Sequence, residues 1–142
     1  MLKGLDPRLG PDLLAALRSM GHGDEIAIVD ANFPAAALAA RLCRADGHPA
    51  TDMAEAILSV LPLDDFQPCA AFTMAPVDPA EPTPEVVRRF AEIVAEAGQA
   101  GPPQPLERHE FYARARRAFA IVATGECRLY GNLILVKGVI RP

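Results

Sequence analysis

Four short apolar runs, at 26–29, 70–75, 119–123 and 133–136, alternate with longer stretches whose apolar side chains recur every three or four positions. Runs of that length, bounded by turn residues and with little polar alternation, are the pattern of strands buried on both faces. Amphipathic stretches between them supply helices to cover those faces. Such alternation predicts an α/β fold, a short and mostly parallel sheet flanked by helices. The first helix is expected over 11–20, with Pro11 in an early position, Leu13, Leu14, Leu17 and Met20 on one face, and Gly21 as its stop. Further helices are expected over 35–43, from Thr51 or Asp52 to the stop at Pro62, over 85–97 and over 111–118. Residues 44–47 read as a turn, 76–84 as a proline-rich connection, and 98–105 as a Gly/Pro loop.

A chain of 142 residues is most simply one domain, 1–142. Half of it is hydrophobic, but alanine supplies much of that and aromatics only 6%. Alanine buries little area per residue, so burial between subunits is expected, and with it an oligomer. The net charge of -4 argues against electrostatic binding of nucleic acid. Cys43, Cys69 and Cys127 form an odd, scattered set without a CxxC, as expected of reduced thiols in a cytoplasmic protein. The amino terminus has no apolar signal core, and no run approaches the length of a membrane span.

Chemistry concentrates around Gly21-His22-Gly23-Asp24. A histidine between two glycines is left uncovered, and histidine is the side chain suited to proton transfer near neutral pH. General acid or base work is the functional reading of His22; a favourable charge at a helix end is the plain one. Asp24 is expected to cap or orient the turn, and Asp30 to close the following strand, where open α/β sheets bind ligands. Gly21-x-Gly23 is no dinucleotide loop, because a helix precedes it and a strand follows. The histidines have no partner at metal-ligand spacing, Ser19 and Ser59 lack any nucleophile elbow, and Asp64-Asp65 reads as a loop or helix-end feature. Arg108 leaves the Gly/Pro loop with donors suited to hydroxyls or a carboxylate, if it is not simply solvated. Tyr130-Gly131-Asn132 offers a phenol, a bare backbone and an amide, groups that hold neutral sugars; a tight turn is the alternative.

Met20-Gly-His-Gly-Asp-Glu25, Asp30-Ala-Asn-Phe-Pro34, Arg44-Ala-Asp-Gly47, Phe119-Ala-Ile-Val122, Thr124-Gly-Glu126 and Tyr130-Gly-Asn132, in this order, resemble the L-fucose mutarotase and D-ribose pyranase family. The resemblance implies an isomerase that interconverts ring forms of a free monosaccharide without metal or organic cofactor. It implies homo-oligomeric rings, commonly decamers of two pentamers, and sites shared between neighbouring subunits. His22 would be the proton donor, while Asp30, Arg108, Tyr130, Gly131 and Asn132 would bind the sugar. Phe33 and Tyr112 would line the pocket. Gly23, Asn32-Phe33 and Arg108 resemble the fucose branch, where the ribose branch tends to carry Thr, Gly-Leu and His. Residues 98–107 depart from the family, with Gly-Pro-Pro-Gln-Pro in place of an apolar stretch that would form a strand leading to the arginine. Ribose pyranase activity, or a non-catalytic sugar-binding assembly, is the alternative.

Overall fold

The computed structural model describes residues 1–142. Along the chain run α1 (Pro11–Ser19), β1 (Glu25–Val29), α2 (Ala35–Leu38), β2 (Leu42–Ala45), α3 (Ala50–Leu58), β3 (Ala71–Met74), α4 (Glu85–Glu96), β4 (Gln104–Leu106), α5 (Arg108–Arg117), β5 (Ala120–Thr124) and β6 (Leu133–Val136). The strands form one six-stranded sheet in the order β2-β5-β1-β6-β3-β4. β1 and β2 pair parallel with β5, and β3 parallel with β4; β6 alone runs the other way, antiparallel to β1 and β3.

Two apolar layers arise from the two-residue period of the strands. Ile26, Ile28, Ala120, Val122, Leu133 and Leu135 face α1, α3 and α4, where Leu13, Leu17, Met53, Ile57, Phe90 and Val94 are buried. The alternate residues Ala27, Val29, Ile121, Ala123, Ile134 and Val136 face α2 and α5, against Ala35, Phe111 and Ala115. Both faces of the central strands are therefore dry, which is why β1, β5 and β6 are almost wholly apolar.

Two expectations fail, both at the sheet edges. The helix expected over 35–43 stops at Leu38; Ala39 is extended, and Leu42–Ala45 becomes β2, placing Cys43 against Val122. Alanine is the best helix former, but the preference is small per residue, and pairing with β5 overrides it. In the Gly/Pro loop, Gln104–Leu106 forms β4 at the opposite edge, with Pro105 beside Thr73. An edge strand needs hydrogen bonds on one side only, so it tolerates a residue without an N–H. At smaller scale, α3 begins after Pro49 rather than at a Thr51 or Asp52 cap and ends at Leu58, before Pro62.

Strand direction sorts the connecting segments into two groups. The carboxyl ends of β1–β5 and the amino end of β6 share one end of the sheet. The turn preceding β1 and the segment after β6 share the other.

Candidate active site

At the carboxyl end, Asp30 and Asn132 form a closed pair. The Asp30 backbone N–H donates to Asn132 Oδ1 at 3.0 Å, and Asn132 Nδ2 donates to Asp30 Oδ2 at 2.7 Å. The second Asp30 oxygen accepts the Asn32 N–H at 2.9 Å. Both residues are buried, Asn132 at 2% exposure, so an unpaired group here would be costly. The pair rests on a strand crossing: Asp30 follows β1 and Asn132 precedes β6, its antiparallel neighbour.

Tyr130 adopts φ 64, the only non-glycine residue in the left-handed region. Its hydroxyl accepts the Val77 N–H at 3.2 Å, tying this segment to the proline-rich connection. Gly131 is required for a different reason from turn-making: a Cβ there would meet Glu126 Cγ at 2.5 Å. Glu126 is itself buried and bound by Arg128 through Nε at 2.9 Å and Nη2 at 2.7 Å. Those bonds with Arg128 hold its carboxyl below the ordinary glutamate range, against the opposing effect of burial.

Arg108 is the first residue of α5. Glu107 caps that helix, its carboxylate accepting the His109 and Glu110 N–H groups. β4 leads directly to this arginine despite the prolines. Arg108 lines a cavity of about 680 Å³ with Thr73, Met74, Val77 and Pro105. Met74 also approaches Asn132 Nδ2, its sulfur 3.9 Å away. Asp30 opens on the other side into a depression lined by Phe33, Arg44, Asp46 and Thr124. Phe33 lines this depression, whereas Tyr112 stacks edge-on against Phe33 at 5.2 Å and lines neither hollow.

His22 is not among these residues. It lies at the other end of the sheet, separated from Asp30 by the length of β1, roughly 16 Å at ~3.3 Å per residue. Asp30 therefore cannot orient this imidazole within one chain. Asp64 does: its Oδ1 lies 3.1 Å from His22 Nε2, 42 residues away in sequence. The same oxygen accepts the Phe66 N–H at 3.1 Å, and Oδ2 accepts Gln67 Nε2 at 2.6 Å. Burial pushes the Asp64 carboxyl up, but the bonds from Phe66, Gln67 and His22 outweigh it and leave it lowered. His22 also rests on the Phe66 ring, centroids 5.1 Å apart.

The turn is fixed by β6. Gly23, at φ +83, donates its N–H to Lys137 O at 2.8 Å, and Lys137 donates its own to Asp24 O at 2.9 Å. Gly23 alone uses glycine's freedom; Gly21 is ordinary backbone whose N–H donates to Asp24 Oδ2 at 2.7 Å, so Asp24 orients the turn as expected. Gly138 brings Asp64 in: its N–H donates to Pro62 O, and a Cβ would lie 2.3 Å from Leu63 O.

Sequence reasoning missed Asp64 as the imidazole's partner, and missed the Glu126–Arg128 brace. A carboxylate after the apolar Leu61-Pro62-Leu63 was the available signal, but nothing local names its partner. No three His, Cys, Asp or Glu residues converge to hold a metal ion. No helix is long and apolar enough to cross a membrane.

The chain is similar to proteins of known name along its whole length. It is 43% identical to fucose mutarotase of Danio rerio over 100% of this chain and 96% of that protein. It is 46% identical to fucose mutarotase of Homo sapiens over 98% of this chain and 94% of that one. The fold superimposes on the Streptococcus pneumoniae fucose mutarotase, solved in complex with L-fucose, with a TM-score of 0.93 and 38% identity, covering 99% of this chain and 100% of that chain. Residues 3–140 match the model of the RbsD / FucU transport protein family, and the chain belongs to that family.

Proposed function

We propose that the protein is a sugar mutarotase, interconverting the α and β anomers of L-fucose or a closely related free aldose, in a site built between two copies of the chain. The observation that carries this reading is the separation of two half-sites. One end of the protomer offers a carboxylate-held imidazole, the other an Asp30–Asn132–Tyr130 cluster beside the Arg108 cavity. Each is incomplete alone, and a neighbouring copy supplies the other half.

The flanking surfaces favour such an assembly. Phe66 beside His22 is 66% exposed, and Leu129 beside Tyr130 is 68% exposed. Large apolar side chains at both half-sites gain by being covered. A closed ring, with two pentamers forming a decamer, is the assembly this reading takes. Its three unpaired cysteines suit a reducing compartment such as the cytoplasm.

Mutarotation opens the cyclic hemiacetal, lets the aldehyde rotate and closes it on the other face. Opening requires one proton delivered to the ring oxygen and one withdrawn from the anomeric hydroxyl. His22 makes one transfer, for a factor of about 10²–10⁴. Asp30 and Asn132 hold sugar hydroxyls with their remaining acceptor and donor capacity. The Tyr130 hydroxyl, accepting from Val77, keeps its own hydrogen to donate. Arg108 offers its guanidinium from the adjoining cavity. The reaction involves no oxidation and no group transfer.

Anomer exchange measured by saturation-difference NMR with L-fucose tests the reading, with D-ribose in parallel. His22→Ala is expected to abolish the enhanced exchange while leaving the assembly intact; wild-type exchange in that variant refutes the role of the imidazole. Mixing inactive His22→Ala with inactive Asn132→Ala subunits is expected to restore part of the rate. No recovery after proven subunit exchange refutes the shared site, and faster exchange of ribose than fucose reassigns the sugar.

A further inference from the structure

We infer that the chamber lined by Arg108 holds a second sugar subsite, so that the protein also acts on neutral free aldoses carrying a further glycosyl unit away from the anomeric carbon; this rests on the mutarotase reading and widens its substrate class. The chamber has a volume of about 680 Å³. At ~30 Å³ for a water's share of liquid, a hexose of roughly six such volumes fills about a quarter of it. The chamber is continuous with the Asp30–Asn132–Tyr130 cluster. Met74 lines it and places its sulfur 3.9 Å from Asn132 Nδ2, and Val77 lines it and donates its N–H to the Tyr130 hydroxyl. Its wall also takes in Val87 and Ala91, one turn apart on α4, a helix with no part in that cluster. An aldose held by Asp30 and Asn132 therefore leaves most of the chamber for a substituent.

The walls select what that substituent is. Six of the fourteen prolines line the chamber, Pro76, Pro79 and Pro84 from one connection and Pro102, Pro103 and Pro105 from the other. Proline has no N–H and a fixed φ, so these stretches lack backbone donors and present apolar ring faces in backbone that is already ordered. Asp78, Glu81 and Glu107 line the chamber too, and an ionised carboxylate only accepts hydrogen bonds. Arg108 is the one cation among the lining residues. Sugar hydroxyls find acceptors here, and the apolar C–H face of a pyranose finds the proline rings. A phosphate or a uronate is itself an acceptor and meets three like charges against one opposite charge. Pro102, Pro103 and Pro105 belong to residues 98–107, where this chain departs from the family it resembles, so the shape of the chamber is particular to this sequence.

The experiment uses the full-length assembly and one matched series: L-fucose, L-fucose carrying β-D-galactosyl at O3 or at O4, and L-fucose carrying phosphate at the same positions. Anomer exchange is read by saturation-difference NMR. At least one galactosyl isomer is expected to exchange with kcat/KM within about tenfold of L-fucose, and both phosphates about 100-fold or more below it. Ala91→Trp fills the α4 wall and is expected to lower kcat/KM for the galactosyl sugar about 10- to 100-fold while leaving L-fucose unchanged. Saturation transfer from protein to the galactosyl protons is expected in the wild type and is expected to vanish in the variant, which reads the chamber without turnover. Val87→Phe serves the same purpose if Ala91→Trp does not assemble. Galactosyl sugars left at the uncatalysed rate, phosphates exchanged as fast as the galactosyl sugars, or a filled chamber that slows both sugars alike or neither, each overturn the inference. Unenhanced exchange of L-fucose itself overturns the mutarotase reading instead, and saturation transfer then still decides whether the chamber holds a sugar.

Discussion

Replacing Asn132 with aspartate changes one atom and places two carboxylates in contact. Asn132 Nδ2 lies 2.7 Å from Asp30 Oδ2, in a site where both side chains are buried. Coulomb repulsion there is about 4 kcal/mol at an effective dielectric near 20 and ~4 Å between charge centres. The pair escapes that cost by binding one proton, as like-charged carboxylates do. At pH 7, protonating a carboxyl of ordinary pKa near 3.9 also costs about 4 kcal/mol, so the two routes agree. The folded variant binds a proton that the unfolded chain does not, so its stability falls as pH rises. Relative to wild type, Asn132→Asp is expected to lose about 4 kcal/mol at pH 7, roughly 10–15 °C in Tm, and to regain ~1.4 kcal/mol per unit of acidification toward pH 4. Thermal unfolding followed by circular dichroism from pH 4 to 8, at one protomer concentration because assembly raises Tm, measures this. Asn132→Ala is the control, expected to lose stability without that pH slope. A deficit for Asn132→Asp that stays constant with pH would refute the buried pair.

Gly131→Ala is expected to cost about 1–3 kcal/mol, since its Cβ meets Glu126 Cγ at 2.5 Å and Arg128 holds that side chain in place. Gly101→Ala, with open space around it, is expected to change stability by less than about 0.5 kcal/mol, a denaturant titration of the two variants measuring both. Arg128→Met strips buried Glu126 of its main partner and is expected to cost about 1–3 kcal/mol at pH 7. Because Glu126 is lowered in the folded wild type, its contribution exists above the ordinary glutamate pKa and disappears as pH falls through the folded value. The gap between Arg128→Met and wild type is therefore expected to narrow from pH 7 to pH 3, and a gap independent of pH refutes the brace.

Much of the scaffold was legible because burial leaves a local signature. The apolar runs at 26–29 and 133–136 could only be central strands, and the spacing of Val86, Phe90, Ile93 and Val94 could only be a helix face. The edge strands were not legible. Leu42–Ala45 and Gln104–Leu106 pair on one side and carry mixed side chains, so alanine and proline pointed elsewhere until a neighbouring strand captured them.

The site divides along the same line. Residue types and their local framing mark His22 and Tyr130-Gly131-Asn132 as candidates, because an uncovered imidazole or a phenol beside an amide is unusual for packing alone, while the sugar-binding roles of Asp30 and Arg108 come from the family resemblance. Which of them meet was decided by folding. Asn132 reaches Asp30 across 102 residues through the β1–β6 crossing, and Asp64 reaches His22 across 42 through the bridge beside Gly138. The direction of β1 then sends those two pairs to opposite ends of the sheet. Local pattern records how deeply a side chain is buried; only the chain's closure in three dimensions records against whom.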